Sequence, residues 1–196
     1  GFKLELAHYA LPVLALGALG VVFSKKDTKP YFLLSVLLGF GLLLLGLSFM
    51  KGSVESLSNQ FDVTLLQNYP LFIYLIFGAV FTAIIQSSSA SIMIVLSALN
   101  TGIVDLESAA AIVIGADLGT TSTVILGALK GNSDKRRVAM SHFLFNLTTD
   151  LIAFFMLLPF LYLLQQITGI YDPLYSLVLF HSCFNLVGII LFIPFV

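Results

Sequence analysis

Long apolar runs separated by short polar clusters organise this chain. A helix that crosses a bilayer needs roughly 20 apolar residues at about 1.5 Å each. Residues 7–23, 31–50, 137–164 and 174–196 supply such runs. The first is slightly short and carries Pro12, and the third holds Pro159 near its outer end. The stretch 51–69 is polar and mixed, and reads as a surface helix or loop. Two further regions are apolar at both ends and polar at the centre. Residues 70–99 carry Gln86-Ser87-Ser88-Ser89, and residues 108–129 carry Gly115-Ala116-Asp117-Leu118-Gly119-Thr120-Thr121. Polar or irregular backbone at bilayer depth is tolerated only inside protein or beside a water-filled cavity. The second region is therefore expected to be a broken helix.

Basic residues set the expected topology. Lys25, Lys26 and Lys29 lie in one loop, and Lys130, Lys135, Arg136 and Arg137 lie in another. Loops rich in lysine and arginine prefer the cytoplasm. Both can be cytoplasmic only if an even number of crossings separates them. Residues 31–50 and 108–129 make two, so 70–99 should enter and leave on one side as a re-entrant hairpin turning at the serines. Each arm of about 15 residues reaches about 22 Å, enough for mid-membrane. The expectation is an all-α integral membrane domain over residues 1–196. It has five transmembrane crossings, one re-entrant helical hairpin, an outer N-terminus and an inner C-terminus.

Composition supports lipid as the solvent. Of the 196 residues, 59% are hydrophobic and 10% charged, against about 25% charged in a soluble domain. The net charge of -1 leaves too little basic surface for nucleic acid. A single cysteine excludes an intrachain disulfide or a multi-cysteine zinc site, and Cys183 reads as a small buried hydrophobe. Ahead of the first run stands only Lys3, offset by Glu5, so no cleaved signal peptide is expected. Gly1 is expected to be either an added residue or a position inside a longer polypeptide.

Three polar clusters carry the candidate chemistry. Gln86, Ser87, Ser88 and Ser89 offer donors and acceptors without fixed charge, and the second arm's first N–H groups, near Ala90, point into the same space. Such a tip suits an anion, and its oxygens suit a small hard cation. The competing reading is a capped turn or a packing contact. Asp117 is the one acid inside a predicted membrane core, which makes it a cation or proton site by default. Asp150, in a long helix, stands evenly between a structural and a functional role. The pattern His-x-x-Phe-Asn occurs twice, as His142 to Asn146 and His181 to Asn185. On a helix its His and Asn share a face, suited to interhelical hydrogen bonds or to supporting an ion ligand.

The segments Gly78–Ala90 and Ile114–Thr123, with the two His-x-x-Phe-Asn elements, resemble the sodium/phosphate cotransporter family, type II and its bacterial relatives. The specific core is Gly-x-x-x-Thr-x-x-x-Gln-Ser-Ser-Ser followed by Gly-Ala-x-x-Gly-Thr-Thr. Members of that family carry two inverted halves around a central site. This chain has one Gln-Ser-Ser-Ser and resembles the second half. The resemblance implies sodium-coupled symport of inorganic phosphate, inward, by a multi-pass cell-membrane protein that is not an enzyme and needs no cofactor beyond sodium as coupling ion. It implies phosphate and sodium contacts from Gln86, Ser87, Ser88 and Ser89. Asp117, Thr120 and Thr121 would bind the cation, with sodium held by Asp117, Thr120 and Ser89. Thr82, His142, Asn146, His181 and Asn185 would support them. Partners would be the other inverted half, in the same chain or another, and a second complete transporter in a homodimer. Asp117 departs from the asparagine usual in the family. Two rivals stand beside this reading: an intramembrane hydrolase pairing one of Ser87–Ser89 with His142 or His181, and a passive anion channel or membrane scaffold.

Overall fold

The structure, a computed structural model, describes residues 9–60 and 69–195. The described residues form eight α-helices and no strand, and the chain divides into two units, residues 1–56 and 57–196. In the first unit, α1 (Ala10–Phe23) folds back on α2 (Lys29–Gln60). Small residues bring the two backbones together, since a Cβ on Gly41 would lie 2.6 Å from Leu14 Cα. At about 1.5 Å per residue α2 is about 48 Å long, more than a hydrocarbon core needs. Only its Lys29–Met50 portion is apolar enough to cross. Part of the polar stretch 51–69 thus continues α2 as far as Gln60, and residues 61–68 lie outside the described residues.

The second unit contains α3 (Leu71–Ile85), α4 (Ser88–Asn100), α5 (Leu106–Ala128), α6 (Ser133–Phe155), α7 (Leu157–Thr168) and α8 (Pro173–Phe192). Its centre is α5, which packs against all the others and buries every residue from Ala109 to Ala116. Side-chain polarity is inverted relative to a soluble domain. Phe155 is 74% exposed and Ile84 76%, while Thr82, Ser91 and Asp150 are buried. An apolar exterior around polar interior groups is the arrangement lipid favours.

Four helices are long and apolar enough to cross a membrane: Lys29–Met50, Leu106–Ala128, Ser133–Phe155 and Pro173–Phe192. They coincide with four of the five crossings expected. The helix–turn–helix expected over 70–99 is present as α3 and α4, with its turn at Gln86 and Ser87. Two expectations are corrected. Residues 108–129 do not break, because α5 is continuous through Gly115–Thr121. Residues 137–164 are not one rod, because α6 ends at Phe155 and α7 begins at Leu157. Pro159 explains that joint: it has no N–H for the Phe155 carbonyl and its ring crowds that oxygen.

The glycines that suggested a break in α5 serve packing instead. A Cβ on Gly115 would lie 2.0 Å from the Leu75 carbonyl oxygen, and one on Gly78 would lie 2.1 Å from that of Ile112. Helices α3 and α5 cross with their backbones in contact, held by small residues from both sides. Glycine inside a helix costs about 0.5–1 kcal/mol relative to alanine, which close packing offsets here.

Candidate functional site

The tip between α3 and α4 is built by its own sequence. The apolar run from Leu71 ends at Gln86, whose backbone is left-handed, at φ 60° and ψ 29°. Its N–H donates to the Thr82 carbonyl at 2.7 Å. Ser87 then turns extended and caps α4, its hydroxyl accepting from the Ala90 N–H at 3.3 Å. Helix α4 therefore begins at Ser88, earlier than the sequence suggested. The first-turn N–H groups of Ser88 and Ser89 have no partner among the described residues, as geometry requires at a helix start. Neither do the Ser88 and Ser89 hydroxyls or the Gln86 amide. Gln86 and Ser89 are exposed, and Ser87 and Ser88 half-buried.

Beneath the tip, Thr82 is fully buried and donates to the Ser91 hydroxyl at 2.8 Å. Ser91 in turn donates to the Ser87 carbonyl at 3.1 Å. This chain of bonds ties α3 to the first turn of α4 and fixes the tip. Ser91 was not singled out from the sequence; its position four residues after Ser87, one helical turn away, was the available signal.

A second polar cluster lies across α5. Gly115 and Gly119 face α3, and Asp117 points away from them, toward α6 and α8. Its carboxylate accepts from the Asn185 amide at 3.1 Å, and its backbone carbonyl accepts from the Asn146 amide at 3.2 Å. The two His-x-x-Phe-Asn elements, on α6 and α8, thus converge on one aspartate through their asparagines. The histidines do less: His181 packs edge-on against Phe184, and His142 Nδ1 is buried without a partner. Thr120 and Thr121 donate back to the carbonyls of Asp117 and Leu118. Their hydroxyl oxygens keep lone pairs that a cation can use. Asp150 lies one helical turn beyond Asn146 on α6; it is 2% exposed, and neither carboxylate oxygen has a partner among the described residues.

No hydrogen bond joins Ser89 to Asp117 or Thr120 among the described residues. Nor does one join Ser87, Ser88 or Ser89 to His142 or His181, the contact a serine hydrolase needs.

Comparison with known proteins bears on this geometry. The chain is 31% identical over 185 residues to the "Putative inorganic phosphate export protein YjbB" of Escherichia coli (strain K12), covering 91% of this chain and 33% of that protein. It is 32% identical over 164 residues to the "Uncharacterized protein YqeW" of Bacillus subtilis (strain 168), covering 80% of this chain and 52% of the relative. A YjbB of Salmonella typhimurium is 29% identical over 184 residues, 90% of this chain and 33% of the relative. The chain thus spans a third to a half of the length of these relatives. No solved structure matches it significantly. The Na+/Pi-cotransporter family matches residues 64–181, which run from just before α3 to the middle of α8 and take in the serine tip and the second cluster apart from Asn185. This multi-pass membrane chain belongs to the Na+/Pi-cotransporter family.

Proposed function

We propose that this chain forms one wall of a phosphate site in a sodium-coupled symporter. The observation that carries it is the serine tip, where unpartnered N–H groups at the start of a 13-residue helix stand beside three hydroxyls and an amide. A helix N-terminus carries about half a positive charge and aims donors at an anion. Serine and glutamine add donors without the strength of a fixed cation, so a bound phosphate can leave again. In this reading α3 and α4 form a re-entrant hairpin that places the tip near mid-membrane, as discontinuous helices do in transporters. The tip's exposure fits a site closed by a second, inverted element elsewhere in the complete polypeptide. Sodium would neutralise phosphate charge and link its movement to the sodium gradient, with Asp117, Thr120 and Thr121 on the cation side. The family is one of transporters, and no hydrolase role is proposed.

The test is uptake of radiolabelled phosphate into liposomes holding the full-length protein. A sodium gradient should drive accumulation, and replacing sodium by choline should abolish it. Equal flux in choline would favour the passive channel. The YjbB relatives are named for phosphate export, an outward direction, against the inward one expected from the sequence. Imposing the gradient in each orientation separates the two.

The hairpin is tested by its consequence for the α4–α5 loop, which it places outside the cell. In a Cys183→Ala background, Thr101→Cys is expected to react with an impermeant thiol reagent added outside. Labelling from the cytoplasmic side alone would mean that residues 70–99 cross. Asp117→Asn is expected to fold, since an amide of the same size fits between Asn146 and Asn185. It should alter the sodium dependence of uptake, and identical dependence would return Asp117 to a packing role.

A further inference from the structure

Helices α5 and α6 meet at the short connection 129–132, where two helices long enough to span turn at a bilayer surface. Beside that turn they leave an open groove of about 430 Å³. Its floor is Ala128 and Ala139, both buried, and its walls are Ile125, Leu129, Met140 and Phe143. Arg136 is the one polar side chain that lines it. Arg136, Met140 and Phe143 follow one another at four and three residues and share one face of α6. Phe143 therefore lies about 10 Å along the helix from Arg136, toward the membrane interior.

The guanidinium at the mouth of the groove is held in place. Its Nη2 donates to the Leu129 carbonyl at 3.2 Å, a bond that runs across the turn to the end of α5. A guanidinium carries five N–H donors in a planar fork. The others have no acceptor among the described residues. Lys130, Lys135, Arg136 and Arg137 crowd this segment against one acid, Asp134. Asp134 pairs with Arg137 at 3.7 Å, and Arg137 lines a different cavity, between α6 and α8. Lys130, Lys135 and Arg136 are left with no acidic partner among the described residues.

An apolar groove with unmatched cations at its water-facing end fits one class of occupant. Inorganic phosphate would take the guanidinium and leave the apolar walls to water. A zwitterionic lipid would fill the groove but bring a further cation to a rim that already holds three. An anionic phospholipid satisfies both ends. The arginine fork matches a phosphodiester, and an acyl chain covers the walls down to Phe143. Loops rich in lysine and arginine prefer the cytoplasm, and that leaflet carries the anionic lipids. We propose that the α5–α6 groove binds one anionic phospholipid, with its phosphodiester on Arg136, Lys130 and Lys135 at the rim, and an acyl chain along the groove. The serine tip plays no part in this site, so the inference stands or falls separately from the phosphate reading.

The experiment uses the full-length protein in vesicles of phosphatidylcholine with one part in five phosphatidylglycerol. Trace phosphatidylglycerol or phosphatidylcholine with a photoreactive acyl chain is the probe, and adducts are mapped by peptide mass spectrometry. In the wild type the phosphatidylglycerol probe should mark residues 125–129 and 139–143 at least fivefold more than the phosphatidylcholine probe does. Arg136→Gln should bring the two probes to within twofold of each other, because the charge-assisted bonds to the phosphodiester go with the guanidinium. Arg137→Gln removes the same charge and should keep the fivefold preference. Equal loss in both variants overturns the proposal, since the attraction would then be one of diffuse charge. Wild-type marking spread evenly over the exposed faces of α3, α6 and α8 also overturns it, and that readout needs no variant to fold. Millimolar inorganic phosphate should not displace the probe, and displacement would make Arg136 a site for the free ion instead. No marking in the groove would mean that another protein segment or a second copy fills it, which again overturns the assignment.

Discussion

Gly115→Ala should cost the protein about 3 kcal/mol or more of its net stability, and Gly127→Ala, on the same helix, should slightly raise it. At Gly115 the added Cβ would meet the Leu75 carbonyl oxygen at 2.0 Å and the Ala79 nitrogen at 2.9 Å. Both are backbone atoms of α3, so no rotamer change relieves the clash. Helices α3 and α5 must separate, losing the contact that seats the serine tip. Overpacking a core with a flexible neighbour costs about 1–3 kcal/mol. A collision with backbone belongs at or above the upper end of that range, against a total stability of about 5–15 kcal/mol. At Gly127 nothing lies within 4 Å of the new methyl. There only the helix-propensity gain of about 0.5–1 kcal/mol remains. Unfolding temperature and the yield of monodisperse protein in detergent measure both. Equal behaviour of the two variants would mean that the close crossing of α3 and α5 does not exist.

That crossing also shows where the sequence stops being legible. The helix–turn–helix at 70–99 could be read because its polar tip interrupts two apolar arms within one stretch of chain. Gly115 and Gly119 look the same, locally, as residues that break a helix. Their role depends on α3 lying against them, and a neighbouring helix leaves no mark on the α5 sequence. The kink after Phe155 was readable from Pro159, whose effect on the preceding turn is local, but the apolar run of 137–164 masked it. The repeated His-x-x-Phe-Asn pattern showed that each His and Asn share a face. That both asparagines meet Asp117 required α6 and α8 to be placed against α5. Asp150 was undecided for the same reason: burial without a partner is a property of three helices together, and one helix's sequence carries no trace of it.

Gln86→Gly should leave the protein as stable as before, or more so, and yet reduce phosphate uptake at least tenfold. Gln86 sits in the left-handed region at φ 60°, where a side chain costs about 1–2 kcal/mol and glycine costs almost nothing. A turn selected for stability alone would carry glycine there. Strain kept at a site is a pointer to use of the side chain, and the Gln86 amide is exposed with no partner among the described residues. Replacing it relieves the backbone and removes a donor in one step, so the two effects run in opposite directions. Ser88→Ala separates them differently, removing a hydroxyl at the first residue of α4 with the backbone untouched. Each hydrogen bond lost to a bound phosphate costs about 1–3 kcal/mol, and a factor of ten is about 1.4 kcal/mol. Uptake in liposomes, normalised to protein incorporated, is read beside the unfolding temperature. Normal uptake in both variants would remove the phosphate from this tip. Parallel loss of uptake and stability in Gln86→Gly would show that the glutamine holds the turn together rather than the anion.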